Sequence, residues 1–364
     1  MPSPLLQVSW DQCLLEPVPD RRAEAALRSE TGAAGPVWVR YYLNCPWLPR
    51  AMIRLSTANA LLMHLDFPTT DLISMVVSQE HSCRYCYAVT RMYLRIFGMS
   101  ELRLQQLEQR LASGNLDSKA AAAIRFSRRM ARCAPLVATQ DIEALRDAGY
   151  SDAEIREIAF VVASGAFLNR LSTIPALSPY AWERLPDQWF MRVFRPLVAR
   201  RMRSARKRGQ PASFARVPEG AFAGLLLQFE GSPIGPALVS ALDDLWASTH
   251  LSRRSKALMF AVVGRGLGCQ ASADEMARVL DAEGLSPDEA EQILAHLGGP
   301  GVSADEAALL SFARDTIWYE PIQIQRRARE LRERLSPVQF VEALGVVSLA
   351  NALCRLRAAL PNPS

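Results

Sequence analysis

The chain contains itself twice, and that duplication limits its architecture more than any bulk property does. Displaced by 185–186 residues, the sequence matches its own second half at three separate places. AAAIRFSRR (121–129) falls on AALLSFARD (307–315), pairing Ala121 with Ala307, Phe126 with Phe312 and Arg128 with Arg314. FGMS (97–100) falls on EGLS (283–286). SDAEIREIAFVVASGAFLNRL (151–171) falls on SPVQFVEALGVVSLANALCRL (336–356), which keeps Glu157 on Glu342, Leu168 on Leu353 and Arg170 on Arg355. Chance can give one such match; three at a nearly constant offset indicate duplication.

Both copies read as helical. Ser151 and Ser336 look like N-caps, and apolar residues follow them at spacings of three and four. DLISMVVSQ (71–79) and KALMFAVVGRGLG (256–268) read as buried helices, while strand-like alternation is scarce. The expected fold is all-α, two tandem helical repeats of roughly 140 residues each. The expected divisions are an N-terminal extension (1–40) packed across one repeat, a first repeat (41–185), a basic linker (186–214) and a second repeat (215–360).

A length of 364 residues suits two such cores, and 49% hydrophobic residues with few aromatics suit a soluble, mainly helical protein. The net charge of +5 is modest. Only Lys119, Lys207 and Lys256 are lysines, which points to a GC-rich bacterial genome and not to a binding surface. The cluster from Arg200 to Arg208 has two readings: a contact for an anionic partner such as nucleic acid or a membrane surface, and a solvated helix end before a hinge. Sparse aromatic interleaving favours the second, so neither nucleic acid nor membrane is an expected partner. The start MPSPLLQVSWDQC lacks the features of a secretory signal, and no run of about 18 apolar residues suggests a membrane span. Seven scattered cysteines do not resemble a disulfide framework, which leaves a cytoplasmic location as the expectation.

Chemistry concentrates in Ser82-Cys83-Arg84-Tyr85-Cys86, the one place where two cysteines stand three residues apart. That spacing is about one helical turn, so both sulfurs share a face and can bond when oxidised. Ser82 is the expected N-cap, which puts Cys83 in the first turn, where the helix dipole favours a thiolate.

TTDLISMVVSQEHSCRYCYAVTRMYLRIFG (69–98) resembles the signature of the alkylhydroperoxidase D / carboxymuconolactone decarboxylase family: an acid, eleven residues, Cys-x-x-Cys, three residues, His. NRLSTIPAL (169–177) is similar to that family's later helix. The resemblance covers about residues 45–180, and 215–360 in decayed form. It implies that Cys86 attacks a small hydroperoxide, that Cys83 then closes a disulfide, and that a separate protein or small thiol reduces it. It implies no metal or organic cofactor, and assembly as a homo-oligomer.

Two positions depart from the pattern. Asp71 stands where the family has Glu, and Thr90 where it has His. A proton relay cannot run through threonine as it does through histidine, though Thr90 can hold a water or reach the Cys86 sulfur one turn away. Glu80 and His81 are the candidate replacement proton acceptors, and Tyr85 is expected to pack. In the second copy Cys269 matches Cys83, but Ser272, Met276 and Ala257 stand at the positions of Cys86, Thr90 and Asp71. That half is expected to be structural. Cys13, Cys45, Cys133 and Cys354 read as buried or incidental, with Cys133 a possible further resolving thiol.

Two other functions fit the scaffold. A decarboxylase-like lyase would use Arg84, Arg91 or Arg95 to bind a small carboxylated substrate. A non-enzymatic partner-binding module would explain the missing His. A structural zinc site needs about four ligands, and one Cys-x-x-Cys supplies two.

Overall fold

The computed structural model describes residues 5, 10–31, 37–113, 116–205 and 209–360, and among them every regular element is helical. After α1 (Arg21–Thr31) and a 3-10 segment (Val37–Tyr42), the first half runs α2 (Trp47–Ala60), α3 (Phe67–Glu80), α4 (Arg84–Ile96), α5 (Glu101–Ser113), α6 (Ser118–Arg132), α7 (Thr139–Asp147) and α8 (Asp152–Thr173). The short α9 (Tyr180–Arg184) and the longer α10 (Trp189–Ala205) lead into the second half. There α11 (Ala223–Leu227) is followed by α12 (Ile234–Ala247), α13 (Arg253–Gly266), α14 (Gln270–Ala282), α15 (Pro287–His296), α16 (Ala304–Asp315), α17 (Pro321–Arg332) and α18 (Pro337–Ala359). From α2 and from α12 the helix order is the same.

The caps explain the boundaries. Asp66 accepts from the Thr69 amide at 2.7 Å and starts α3, with Pro68 in its first turn. Ser151 and Ser336 open α8 and α18 with reciprocal capping boxes through Glu154 and Gln339. These two long helices pack against each other, and α2 packs against α12, so the halves meet through equivalent elements. Contact is close: a Cβ on Gly345 of α18 would stand 2.7 Å from the Trp47 ring on α2. Each 14-residue α3 and α13 is enclosed in turn, α3 by α6, α8 and α4, α13 by α14, α16 and α18.

Polar residues repeated in the sequence do matching jobs in the core. Arg170 and Arg355 are both fully buried. Arg170 of the first half donates to the Thr316 and Ile317 carbonyls of the second, at 2.9 and 3.0 Å. Arg355 of the second donates to the Ala131 carbonyl of the first at 3.0 Å. Each guanidinium thus caps the C-terminus of the other half's helix, where the carbonyl dipoles favour a cation. Glu157 accepts from the amides of Met63, His64 and Leu65, and its counterpart Glu342 accepts from Leu251. In both cases a buried carboxylate fixes the loop that leads into α3 or α13.

Two sequence-based expectations change. The N-terminal extension straddles both halves instead of one: Leu14 and Trp10 bond to the carbonyls of Pro175 and Leu177, while Asp11 bonds to Gln325 and Arg329. Its backbone needs partners wherever it lies, and carbonyls at the end of α8 and side chains on α17 are both in reach. The expected linker is largely the 17-residue helix α10, in which five arginines with Met, Leu and Ala as good helix formers outweigh the internal Pro196; residues 206–208 lie outside the described residues. Helix α18 is long and apolar enough to cross a membrane, yet 83% of its most apolar window is buried within the protein, as a core helix must be.

Candidate dithiol site

Backbone geometry at the start of α4 differs from a serine-capped helix. Ser82 adopts a left-handed conformation (φ 48°), and Cys83 is itself the N-cap. This corrects the expectation for Ser82. The chain leaves α3 through His81, and the Cys83 amide returns to the Ser78 carbonyl at 2.8 Å. That closure forces the turn at Ser82 and aims the Cys83 side chain at the amides of α4. The Cys86 amide donates to Cys83 Sγ at 3.3 Å, so sulfur does what a serine oxygen usually does.

Both cysteines are free thiols that face each other. Cys83 is fully buried and Cys86 only half-buried, so Cys86 is the sulfur nearer solvent. Burial alone would raise the Cys83 thiol. Hydrogen bonds from the Cys86 thiol, from Thr173 and from the amides of Cys86 and Tyr85 outweigh it, and hold Cys83 below the ordinary cysteine range. Donating its proton to Cys83, and then burial, push Cys86 well above that range. Of the two, Cys83 is therefore the sulfur that ionises first, with the Cys86 thiol as a donor to it.

The predicted residues are only partly gathered here. Thr90 Oγ1 donates back to the Cys86 carbonyl at 3.1 Å, as threonines inside helices commonly do, and so it is not turned to the sulfur. His81 is buried, with its ring nitrogens against the Ala131 carbonyl (3.2 Å) and the Asn169 amide (3.2 Å). Burial, then the nearby Arg170 and Arg355, hold its pKa far below the usual histidine value. A ring fixed and neutral in this way joins α3 to α6 and α8; it does not act as a proton acceptor for Cys86. Glu80 is ion-paired to Arg128 at 3.3 Å and to Arg132, both on α6. Asp71 sits half-buried in α3, twelve residues before Cys83. Tyr85 packs edge-on against Trp182 with ring centroids 6.3 Å apart.

Other residues surround the sulfurs instead. Ser172 Oγ lies 3.5 Å from Cys86 Sγ, and also donates to the Leu168 carbonyl at 2.9 Å. Thr173 approaches Cys83, and Tyr319 approaches Thr173 and both sulfurs. The Thr173 and Tyr319 hydroxyls are buried and place two donors beside the sulfurs. Burial raises the Tyr319 phenol to about 12, which keeps it protonated at neutral pH. Tyr42 adds a third phenol near Cys86. Ser172 and Thr173 lie within NRLSTIPAL, so a signal for them existed; Tyr319 comes from the second half, and no local motif marks it.

The second half repeats the backbone but not the chemistry. Cys269 caps α14 with φ −88° and ψ 92°, against −88° and 88° at Cys83, and Gly268 takes the left-handed turn held by Ser82. Ser272 donates to Cys269 Sγ at 3.2 Å where a second thiol would stand. Cys133, 186 residues before Tyr319, lies near Cys269, as Tyr319 lies near Cys83. Among the described residues no group of three or more His, Cys, Asp or Glu is placed to hold a metal ion. Arg84 is paired with Glu183 at 2.8 Å, Arg95 with Asp187 at 2.6 Å, and Arg91 with Glu101 and Glu108. Compared with family models, with curated proteins and with solved structures, the chain matches none.

Proposed function

We propose that the protein is a thiol-dependent peroxidase whose Cys83–Cys86 pair reduces a small hydroperoxide. The supporting observation is the pairing of Cys83, which caps α4 and is held below the ordinary cysteine range, with a half-buried Cys86 thiol one turn away. In this reading Cys83 replaces the absent histidine. It takes the Cys86 proton, and the Cys86 thiolate attacks the distal peroxide oxygen, breaking the O–O bond. The alkoxide takes the proton back from Cys83 and leaves as the alcohol, with Tyr319 or Thr173 donating a hydrogen bond to it. Cys86 is then a sulfenic acid. Cys83 thiolate displaces its hydroxide, which leaves as water with one solvent proton, and a disulfide forms. Two electrons pass from the sulfurs to the peroxide, and an external protein or small thiol restores them.

Ser172 steadies the intermediate. Its hydroxyl can rotate from the Leu168 carbonyl to the Cys86 thiolate, a charge-assisted bond that exists only after proton transfer. A decarboxylase-like reading is weakened because Arg84, Arg91 and Arg95 already hold carboxylates of the protein itself.

Treating the reduced protein with stoichiometric tert-butyl hydroperoxide should form a Cys83–Cys86 disulfide with release of one alcohol per chain, read by mass spectrometry. Two free thiols after exposure, with the peroxide unconsumed, would sink the proposal.

A further inference from the structure

The helix α10 carries apolar residues on two faces. One face is used: Met191 and Ala199 are buried against Met92 and Ile96 of α4. The other faces outward with Trp189 73%, Val193 64%, Leu197 64%, Phe194 50% and Phe190 38% exposed. At 100° per residue these five fall within one arc of the helix, a continuous apolar stripe and not scattered single residues. The stripe continues one turn further into Arg200 and Arg201, with Arg195 also exposed. No acidic residue occurs from Gln188 to Pro218, a stretch with nine arginines and lysines.

We propose that α10 is an interfacial helix that seats the protein on an anionic phospholipid bilayer. Its apolar stripe would enter the boundary between headgroups and acyl chains, and its arginines would meet lipid phosphates. With 17 residues, several of them charged, it is too short and too polar to span. The charge pattern favours lipid over a second copy. Parallel pairing of two α10 helices would set each arginine cluster against its own image, and antiparallel pairing would supply no acidic partner to either cluster, whereas an anionic surface neutralises all of them. The absence of an acidic residue across the stretch fits the same partner.

The test is flotation of the full chain with vesicles of phosphatidylcholine alone and of equal parts phosphatidylcholine and phosphatidylglycerol. The protein should float with the anionic vesicles and remain behind with the neutral ones, and raised salt should weaken the binding. Arg200→Gln with Arg201→Gln should weaken it about fivefold per arginine. Val193→Ser with Leu197→Ser, both at exposed positions, should weaken it by about tenfold or more while circular dichroism stays unchanged. Absence of flotation, equal flotation with both vesicles, or binding unaffected by either pair of changes overturns the proposal. A dimer in light scattering that Val193→Ser with Leu197→Ser dissociates also overturns it, and assigns the stripe to a second copy.

Discussion

Cys83 and Cys269 occupy the same backbone, and their surroundings separate them. In the first half the residue one turn on is Cys86, faced by Ser172 from α8. In the second half the matching positions hold Ser272 and Arg357, and Arg357 is paired with Glu275 at 3.1 Å with both side chains about nine-tenths buried. Asp71 of α3 corresponds to Ala257, and the neighbouring Thr70 to Lys256, which is fully buried with Glu342 at 3.6 Å. So the second half has filled its version of the site with the buried Arg357–Glu275 pair, and holds a second buried pair, Lys256–Glu342, on α13 and α18. The first has kept two sulfurs and several hydroxyls. The lesson is that this helical frame tolerates either outcome, because what fixes the frame lies elsewhere, in the Arg170 and Arg355 caps and the Glu157 and Glu342 loops.

The strongest way to break the comparison is to exchange the two sites. Cys86→Ser makes the first half resemble the second and should cut peroxide reduction at least about a thousandfold, to the background rate. Ser272→Cys should create a second pair, with Cys269, that closes under oxidation and appears as a new disulfide in peptide mapping. If Cys86→Ser retained activity, the chemical difference between the halves would have to lie elsewhere.

Next comes Lys256→Met. It leaves Glu342 buried without its cation and should cost about 3–5 kcal/mol in urea unfolding, because an unpaired buried charge is strongly destabilising. At the matching Thr70 only a hydroxyl bonded to the Asp66 carbonyl is at stake, and Thr70→Val should cost about 1 kcal/mol. Equal costs would show that the Lys256–Glu342 pair adds no stability beyond what a hydroxyl gives the first half at the matching position.

Reach across the halves can be tested at Tyr319 and Cys133, which stand 186 residues apart in sequence. Tyr319→Phe removes one oxygen near the sulfurs and should slow peroxide reduction about a hundredfold if the phenol donates to the leaving alkoxide. Cys133→Ser, near Cys269, should leave the rate unchanged. His81 sets a pH dependence that the second half lacks, since Leu267 occupies its place. Its folded pKa lies below the unfolded value of about 6.5, so the unfolded chain binds more protons as the pH falls. The stability due to neutral His81 is complete above about 6.5. Below that it should decline by up to about 1.4 kcal/mol per pH unit, until the depressed folded pKa is reached. His81→Gln should flatten that part of the stability–pH profile.

Periodicity made the all-helical fold readable. Ser151 and Ser336 open α8 and α18, and the Glu157/Glu342 and Arg170/Arg355 matches turned out to carry equivalent hydrogen bonds. Local pattern also located the two sulfurs, because a spacing of three has one meaning in a helix. It did not give their environment. Ser82 looked like a cap, but the bond from the Cys83 amide to the Ser78 carbonyl moves the start of α4 by one residue. His81 looked accessible beside a helix end, yet tertiary packing from α6 and α8 encloses it. Tyr319 was out of reach of any motif, since its place at the sulfurs depends on how the halves dock.

The smallest expected effect concerns Thr90, where the sequence departs most from the resemblance. Its hydroxyl is committed to the Cys86 carbonyl, a bond inside one helix turn, and the sulfur receives its hydrogen bonds from elsewhere. Thr90→Val keeps the shape and removes only that bond, so peroxide reduction should change by less than about threefold, the size of a weak helix-internal interaction. Stability should fall by about 1 kcal/mol or less in the same protein. A large loss of rate without loss of stability would instead mean that Thr90 rotates to the sulfur during turnover. The first half would then differ from the second at Thr90 and Met276 in chemistry, and not only in packing.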